Sequence, residues 1–269
     1  MIVHNFNPVL VDLGLLQIRW YSIAYILGIA LGSIYAIKII QFTKINKFNY
    51  KPVEKNKFDD LLLYLVLGIV LGGRLGYIIF YNFDYYVQNL HEVMKLWEGG
   101  MSFHGGLIGI IVSIIIFSKS KKEYFFKISD IVACVAPIGI FFGRIANFIN
   151  GELYGKFSTL PWAVIFPDGG SFARHPSQVY EALLEGCFLF LLINFLALKK
   201  DWLFKPGCIS GIFLILYSIL RIISEIFREA DQHLGYFFDY FSMGTLLSFI
   251  TLAIGTIILL HSKNNEQNN

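Results

Sequence analysis

The feature that most constrains the fold of this chain is a series of long apolar stretches. A transmembrane helix needs about 20 consecutive, mostly apolar residues. Stretches close to that length lie at about 20–42, 59–82, 104–118, 128–149, 178–198, 207–227 and 239–261. Charged residues make up only 15% of the 269 positions, whereas soluble domains hold about 25%. The chain is therefore predicted to be an all-α polytopic membrane protein with seven transmembrane helices.

The positions of the lysines predict the orientation of these helices. Lysine-rich segments follow the first, third and fifth apolar stretches, at about 44–57, 119–127 and 199–205. The alternate segments hold few lysine or arginine residues near the stretches. Because positively charged loops are retained in the cytoplasm, we expect the C terminus to be cytoplasmic and the N terminus to lie outside. The basic residues indicate topology, and nucleic acid is not an expected partner.

Residues 1–269 are predicted to form a single membrane domain with short segments at the outer interface. Residues 1–18 contain apolar runs that are too short to span and are interrupted by turn formers, so we expect an interfacial arm. Residues 83–103 are predicted to form a second, amphipathic segment. Its apolar side chains recur at spacings of three and four, at Val87, Leu90, Met94 and Trp97.

Residues 150–177 differ in composition from the apolar stretches on either side. They are rich in turn formers, and 162–166 reads as a strand that leads into a hairpin turn at 167–170. This segment is predicted to be a small outward-facing head.

Pairs of glycines four residues apart predict close packing between helices. They lie at Gly28/Gly32, Gly68/Gly72, Gly105/Gly109, Gly139/Gly143 and Gly207/Gly211.

The densest polar motif, G-R-I-A-N-F-I-N-G-E-L-Y-G at 143–155, ends a run without charged residues that begins at Ile131. An arginine inside a membrane segment costs about 2.5–3.5 kcal/mol on insertion scales. Arg144 is therefore expected to have an interaction partner or a functional role. In a helix Arg144 and Asn147 share one face.

A second polar stripe lies in the sixth apolar stretch, where Tyr217, Arg221 and Glu225 are spaced i, i+4 and i+8. One interpretation is a simple charge pair that makes the helix insertable. The other is that Arg221 and Arg144 face one cavity, where two guanidinium groups would bind a lipid phosphate bidentately.

Other submerged polar side chains leave alternatives open. His104 lies between glycines, and it is either a hydrogen-bonded packing residue or a group that accepts a proton near neutral pH. Arg74 either binds lipid or pairs with a carboxylate such as Glu152 or Glu181. His175 is a weaker catalytic candidate, because the following proline gives it a role at a helix entry.

The motif at 143–155 resembles the signature of bacterial prolipoprotein diacylglyceryl transferases. The similarity extends over most of the chain, to G-G-R-L-G-Y at 72–77, G-G-M-S-F-H-G-G at 99–106, R-H-P-S-Q-V-Y-E at 174–181 and R-I-I-S-E-I-F-R at 221–228.

This resemblance implies an enzyme of the bacterial inner membrane that moves the diacylglyceryl group of phosphatidylglycerol to the lipobox cysteine of a prolipoprotein signal peptide. It requires no metal or other cofactor. It favours a catalytic role for His104, together with Arg144, Arg221 and Tyr217. The residues that it implies for phosphatidylglycerol binding are Arg144, Asn147, Glu152, Gly155, Tyr21, Arg74 and Glu225.

Two other functional classes use an outward polar cluster to bind an anionic ligand: membrane transporters and seven-helix receptors. The last apolar stretch contains no lysine that could hold a retinal Schiff base. A transporter places its polar residues near the bilayer midplane, whereas here they gather towards one face. These observations disfavour a retinal protein and a transporter; the enzyme is the favoured interpretation, with a transporter or a seven-helix receptor as the alternative.

Overall fold

The structure is a computed structural model that describes residues 2–14, 17–45, 53–95, 100–230, 235, 237 and 240–267. Within these ranges the side chains of residues 44–45, 55–56, 103–104 and 263–267 are outside the description. The chain divides into two compact units. The first unit contains Met1–Ile39 and Asp130–Asn269, and the second contains Ile40–Ser129.

Helices account for most of the described residues. They are α1 Trp20–Ile45, α2 Lys55–Tyr81, α3 Phe83–Gln88, α4 Phe103–Lys121, α5 Phe125–Asn150, α6 Ser177–Lys199, α7 Cys208–Glu225 and α8 Met243–Gln267. Six of these, α1, α2, α5, α6, α7 and α8, are long and apolar enough to cross a membrane. The third predicted stretch coincides with α4, a helix of 19 residues that is not among the six. The chain is thus a largely helical membrane protein.

Short strands tie the N-terminal segment to the region between α5 and α6. Strand β1 (Ile2–Val3) pairs in parallel with β4 (Val164–Ile165). The His4 amide donates to the Ile165 carbonyl at 2.9 Å, and the His4 Nε2 lies 2.7 Å from the Phe148 carbonyl oxygen. The predicted arm therefore contains β-structure. A separate antiparallel pair joins β2 (Val9–Asp12) to β3 (Gln17–Arg19).

The region 150–177 has the hairpin that its composition predicted, with a shorter strand. Val164 and Arg174 exchange two backbone hydrogen bonds of 2.9 Å, and a 3-10 turn at Pro167–Gly169 lies between them. The Arg174 guanidinium lies 4.2 Å from the centre of the Phe157 ring and donates to the Gly169 carbonyl at 2.9 Å. This arginine fixes the hairpin to the rest of the region.

The predicted amphipathic segment at 83–103 is not one continuous helix in its described part. Helix α3 ends at Gln88, and Asn89 has non-helical dihedrals (φ −130°, ψ 57°). The Asn89 side-chain amide donates to the Tyr85 carbonyl at 3.0 Å, a local bond of the kind that competes with helix continuation. A 3-10 turn at Leu90–Glu92 follows. Trp97 lies outside the described residues.

In the first unit, buried polar side chains hold α5, α6 and α7 together. The Asp130 carboxylate is fully buried and accepts from the amides of Gly207 and Ser210 at 2.7 Å each. A carboxylate at a helix N-terminus satisfies unpaired amides and complements the helix dipole. Asn194 on α6 donates to the Cys134 carbonyl on α5 at 3.0 Å. These bonds join α5 to α7, the helix that carries the polar stripe, and α6 to α5.

In the second unit, α2 and α4 pack through backbone contact at glycines, as their spacing predicts. A Cβ atom added to Gly109 would overlap the carbonyl oxygen of Gly68, and one added to Gly105 would overlap that of Gly72. Glycine allows helix backbones to approach this closely, and packing replaces the missing hydrophobic effect between helices in lipid.

The other glycine pairs have mixed outcomes. A Cβ on Gly28 would lie 3.1 Å from the Gly139 Cα, and one on Gly211 would lie 2.9 Å from the Leu259 amide nitrogen, so these two glycines permit close approach. Gly139 is the backbone that Gly28 approaches, although a Cβ built on Gly139 itself would meet no described atom within 4 Å. A Cβ built on Gly143 would also meet no described atom within 4 Å, so Gly143 shows no such close contact.

Substitution of Gly109 by alanine should lower the thermal unfolding midpoint of the purified protein in detergent. Overpacking typically costs about 1–3 kcal/mol, which exceeds the roughly 1 kcal/mol that alanine gains over glycine in a helix. Gly106→Ala is the matched control on the same helix, since the nearest atom to its Cβ would be the Ile69 carbonyl oxygen at 3.8 Å. The control should be neutral or stabilising, and equal destabilisation by both variants would contradict the proposed basis of the packing.

Candidate functional site

The main polar feature of the first unit is a buried group of arginines and glutamates, here called the Arg–Glu cluster. Its members are Arg144 on α5, Glu181 and Glu185 on α6, Arg221 and Glu225 on α7, and Arg228 just beyond α7. Glu181 Oε2 lies 3.0 Å from Arg144 Nε and 2.8 Å from Arg221 Nη1. The two arginines that the sequence analysis placed at one cavity therefore share one carboxylate oxygen.

Glu185 makes a second bridge between the same two guanidinium groups. Its Oε2 lies 3.2 Å from Arg144 Nη2, and its Oε1 lies 3.3 Å from Arg221 Nη1. The Ser224 hydroxyl donates to Oε1 at 2.9 Å. Glu181 and Glu185 both have no exposed surface. Each buried carboxylate is thus paired and hydrogen-bonded, which is the condition for retaining its charge away from water.

Glu225 and Arg228 extend the cluster towards the start of α8. Arg221 and Glu225 form the i, i+4 ion pair that their spacing predicts. Arg228 Nη1 lies 3.2 Å from Glu181 Oε1. The Ser242 hydroxyl, immediately before α8, donates to Glu225 Oε2 at 2.7 Å. The simple charge pair is therefore one part of a larger network.

The formal charges of the three arginines and three glutamates balance. The exposed fraction of the arginine side chains falls from 16% at Arg144 to 11% at Arg221 and 8% at Arg228. Arg144 is therefore the most exposed of the three arginines. Burial of so many charges is costly and need not stabilise a fold, so a cluster of this kind in membrane helices points to a function.

The glutamates of α6 lie at an irregular part of the helix. The seven residues Ala182–Phe188 form a π-helical segment that contains Glu185 and directly follows Glu181. Single π turns of this kind are frequent at functional sites. Within the segment, a Cβ on Gly186 would lie 2.7 Å from the Phe141 Cβ. Glycine thus lets this part of α6 approach α5, the helix that carries Arg144.

A second polar group, here called the Tyr21 triad, consists of Tyr21, Asn147 and Glu152. Asn147 Nδ2 donates to Glu152 Oε1 at 2.8 Å, and the Tyr21 hydroxyl hydrogen-bonds to both partners. Asn147 follows Arg144 by three residues on α5, and Tyr21 lies within electrostatic range of Arg144. The structure thus brings three of the predicted lipid-binding residues together next to the Arg–Glu cluster.

An apolar groove of about 150 Å³ lies between α1 and α5, the helices that carry Tyr21 and Asn147. Its lining includes Trp20, Ala24 and Leu27 from α1, and Phe142 and Ile145 from α5. The groove offers an apolar surface close to a polar group, which is the pattern of a site for an amphiphilic molecule.

Tyr217 lies on α7 within electrostatic range of Glu185, Arg144 and Arg221, so the structure places it at the cluster. Gly155 has a packing function: a Cβ there would lie 2.5 Å from the Phe227 carbonyl oxygen and 2.6 Å from the His175 Cβ.

His175 packs at the junction between the 150–177 region and the helices. Its Nδ1 lies 3.2 Å from the Tyr180 hydroxyl, and its ring contacts the Phe227 ring edge-to-face. Burial, and secondly the charge of Lys156, lower the pKa of the His175 imidazole. The neutral form therefore prevails at neutral pH, and these contacts fit a packing role.

His104 and Arg74 belong to the second unit. The backbone of His104 lies in the first turn of α4, whose N-cap is Ser102, but its side chain lies outside the description. Ser102 Oγ accepts from the Gly105 amide at 3.2 Å, and the Ser102 amide donates to the Gly73 carbonyl at 2.9 Å. The start of α4 is therefore held against α2.

Arg74 is 3% exposed and donates to a set of backbone carbonyls. Its acceptors are Val93 at 2.9 Å, Glu92 at 2.8 Å, Lys95 at 3.1 Å and Gly100 at 3.4 Å. The guanidinium also lies 5.1 Å from the centre of the Tyr86 ring. These contacts give Arg74 a structural role in shaping the segment before α4, and its assignment to lipid binding stays a prediction.

Sequence reasoning missed the part played by Glu185 and gave Glu181 only as a possible partner of Arg74. A signal was available, because two carboxylates four residues apart in an apolar stretch are expensive unless they are paired. Within the described residues, no group of three or more His, Cys, Asp or Glu side chains is placed to hold a metal ion.

Substitution of Glu185 by glutamine should destabilise the protein strongly, because it leaves an excess positive charge in the Arg–Glu cluster. Removal of one partner from a buried ion pair typically costs about 3–5 kcal/mol. Glu229→Gln is the matched control, since its partner Arg174 lies at 3.2 Å and Glu229 is 38% exposed; an exposed pair contributes about 0–1 kcal/mol. Thermal unfolding of both variants is the measurement, and a similar small shift in both would contradict the charge balance.

Comparison with known proteins identifies the family. The family model for prolipoprotein diacylglyceryl transferase matches residues 8–261. A relative from Rickettsia bellii is 46% identical over 259 residues, which cover 96% of each chain. A relative from Rhizobium meliloti is 47% identical over 93% of this chain and 90% of its own. One from Rhodopseudomonas palustris is 43% identical over 95% of this chain and 89% of its own.

All three relatives are named phosphatidylglycerol–prolipoprotein diacylglyceryl transferase. Their names give no support to the transporter or receptor alternatives. The match covers α1 to α7 and most of α8, including the Arg–Glu cluster and the Tyr21 triad, and the chain therefore belongs to the prolipoprotein diacylglyceryl transferase family.

Proposed function

We propose that this protein transfers the diacylglyceryl group of phosphatidylglycerol to the lipobox cysteine of a prolipoprotein in the bacterial inner membrane. The observation that carries the proposal is the pairing of Arg144 and Arg221 through Glu181, beside the Tyr21 triad and an apolar groove. In the reaction the cysteine sulfur forms a bond to the terminal glyceryl carbon. The bond from that carbon to the phosphate oxygen breaks, and glycerol phosphate leaves.

The arginines suit the charge that develops in this step. The phosphodiester carries one negative charge, and the phosphate monoester that leaves carries more. Guanidinium groups bind phosphate oxygens bidentately, and fixed positive charges in a low-dielectric site stabilise a developing oxyanion. Because Glu181 and Glu185 already occupy both arginines, the lipid phosphate must share or displace these carboxylates, beginning at the more exposed Arg144.

The Tyr21 triad and the groove would hold the rest of the lipid. Tyr21, Asn147 and Glu152 offer hydroxyl, amide and carboxylate groups that can exchange hydrogen bonds with the hydroxyls of the glycerol headgroup. The apolar groove between α1 and α5 suits part of an acyl chain. On this proposal Tyr217 and Glu225 act with Arg221, and Gly155 keeps the 150–177 region against the end of α7.

His104 is proposed as the base that accepts the thiol proton. A cysteine thiol with a pKa of about 8.5 is mostly protonated at neutral pH, so a base raises the fraction of the nucleophilic thiolate. Histidine is suited to this exchange near neutral pH. The support comes from the sequence motif at 99–106 and from the position of His104 in the first turn of α4.

We also propose that α4 is the seventh transmembrane helix, and the strand pairing supports this by parity. β1 pairs with β4, and Tyr21 bonds to Glu152, so the start of α1 and the end of α5 lie on the same side of the membrane. An even number of crossings must separate these two points. The helices α1, α2 and α5 supply three, and α4 supplies the fourth. With the lysine distribution, this supports the proposal that the N-terminal arm and the 150–177 head are outside and the C terminus is in the cytoplasm.

The topology predicts opposite accessibility for two single cysteines in a cysteine-free background. Ser171→Cys in the head should react with a membrane-impermeant thiol reagent in intact spheroplasts, whereas Lys121→Cys at the end of α4 should react only after lysis. Labelling of Lys121→Cys and not of Ser171→Cys in intact spheroplasts would invert the proposed topology, and labelling of both would mean that α5 does not cross the membrane.

Arg144→Lys and Arg221→Lys should each lose most of the transfer activity in a purified assay that follows phosphatidylglycerol consumption and lipid attachment to a lipobox peptide. Lysine keeps the charge but cannot supply the planar bidentate contact. Loss of one such stabilising contact typically costs about 10²–10³-fold in kcat. Full activity in both lysine variants would rule out the paired-arginine site.

A comparison with His104→Gln distinguishes the loss of the proposed base from the loss of an arginine. Loss of a general base typically costs about 10²–10⁴-fold, and a higher pH should restore part of the activity, because more of the peptide thiol ionises without help. The arginine variants should show no such recovery. If His104→Gln shows none either, His104 is not the base, and the arginine site is still tested independently.

A further inference from the structure

The head region, residues 150–177, exposes large apolar side chains on its surface. The exposed fractions are 61% for Phe157, 40% for Leu160, 51% for Trp162 and 67% for Phe172. The rings of Phe157 and Phe172 meet edge-to-face with centroids 5.4 Å apart. Together with Leu160 they line a cavity of about 460 Å³. In a region surrounded by water, a group of four such side chains would be costly, because contiguous apolar patches mark contact surfaces.

Side-chain contacts place this group at the ends of the membrane helices. Trp162 Nε1 donates to the Tyr180 hydroxyl at 2.7 Å, and Tyr180 lies in the first turn of α6. The Tyr180 ring contacts the Phe227 ring, which lies just beyond α7, with centroids 5.5 Å apart. The cavity between Phe157 and Phe172 also reaches His175, two residues before α6. The aromatic group is therefore attached to the start of one transmembrane helix and the end of another.

The same helix continues the apolar surface in the membrane. Along α6 the side chains of Leu183, Phe188 and Leu191 are 54%, 50% and 67% exposed. In a helix of spanning length and composition, such exposure is explained by contact with lipid. The exposed side chains of the head are thus continuous, through Trp162 and Tyr180, with a lipid-facing surface.

The chemistry of the group fits the boundary layer of a bilayer. Tryptophan and tyrosine are enriched at the headgroup level, where an apolar ring body and a polar N–H or O–H are both satisfied. Phenylalanine and leucine on an interfacial face bury their side chains at the boundary between headgroups and acyl chains. A water-exposed head would instead present charged side chains at these positions.

We propose that the head region rests on the bilayer, with Phe157, Leu160, Trp162 and Phe172 inserted in the interfacial lipid layer. The head is then a membrane-contacting surface, and the cavity between Phe157 and Phe172 is filled by lipid. This inference does not depend on the transferase reaction. The alternative occupant, an apolar segment of a peptide, is an outcome of the test.

Spin labels on the full-length protein in phosphatidylglycerol-containing nanodiscs can test the proposal. Cys134, Cys187 and Cys208 are first replaced by alanine, and single cysteines are introduced as Phe172→Cys, Phe157→Cys and Asp168→Cys. Asp168 is an exposed polar residue of the same head and serves as the aqueous control. Collision with oxygen, which concentrates in lipid, is compared with collision with a water-soluble nickel chelate.

The expected result is an oxygen-to-nickel ratio severalfold higher at positions 172 and 157 than at 168. Equal ratios at all three positions would overturn the proposal. Ratios that rise at 172 and 157 only after addition of a lipobox peptide would also overturn it, in favour of a peptide site. Positions 172 and 157 are tested separately, so a folding failure at one leaves the other decisive, and thermal unfolding of each labelled protein confirms that it is folded.

Discussion

The carboxylate of Glu181 is the contact on which the arrangement of the first unit depends. It binds guanidinium groups from α5, from α7 and from the residues just beyond α7. A charge buried among transmembrane helices is tolerated only with such partners, so the three segments must come together before any of these charges is stable in the membrane. The need to neutralise these side chains therefore favours α5, α6 and α7 as neighbours.

The two units solve the packing problem differently. In the first, buried carboxylates and amides join the helices, as Asp130 joins α5 to α7, in addition to glycine contacts such as that between Gly28 and Gly139. In the second, glycines bring the backbones of α2 and α4 together, and Arg74 collects backbone carbonyls of the segment before α4. Ion pairs specify which helices lie next to each other, whereas glycine contacts allow a short distance between the helix backbones.

Much of the site could be predicted because the residues are expensive in a membrane. Arg144, Arg221 and Glu225 stand out in apolar stretches, and the i, i+4 spacing of Arg221 and Glu225 predicts their ion pair. The positions of the helices were also predictable, because a membrane span needs a long stretch that lacks such residues. The partners across the fold were not: the contact between Tyr21 and Glu152 joins residues 131 positions apart, and no local pattern encodes it. The π-helical segment around Glu185 was equally hidden, because an apolar stretch gives no sign of an irregular turn.

The pairing of β1 with β4 has a consequence for biogenesis. His4 finds its partner at Phe148, 144 residues further along the chain, so the N-terminal segment cannot reach its final position until α5 has been synthesised and inserted. Contacts of such sequence separation form late, because loop closure must be achieved first. During translation β1 therefore has no strand partner until β4 has been synthesised. Closure of the strand pair would then report that the first half of the helices has been inserted with the right number of crossings.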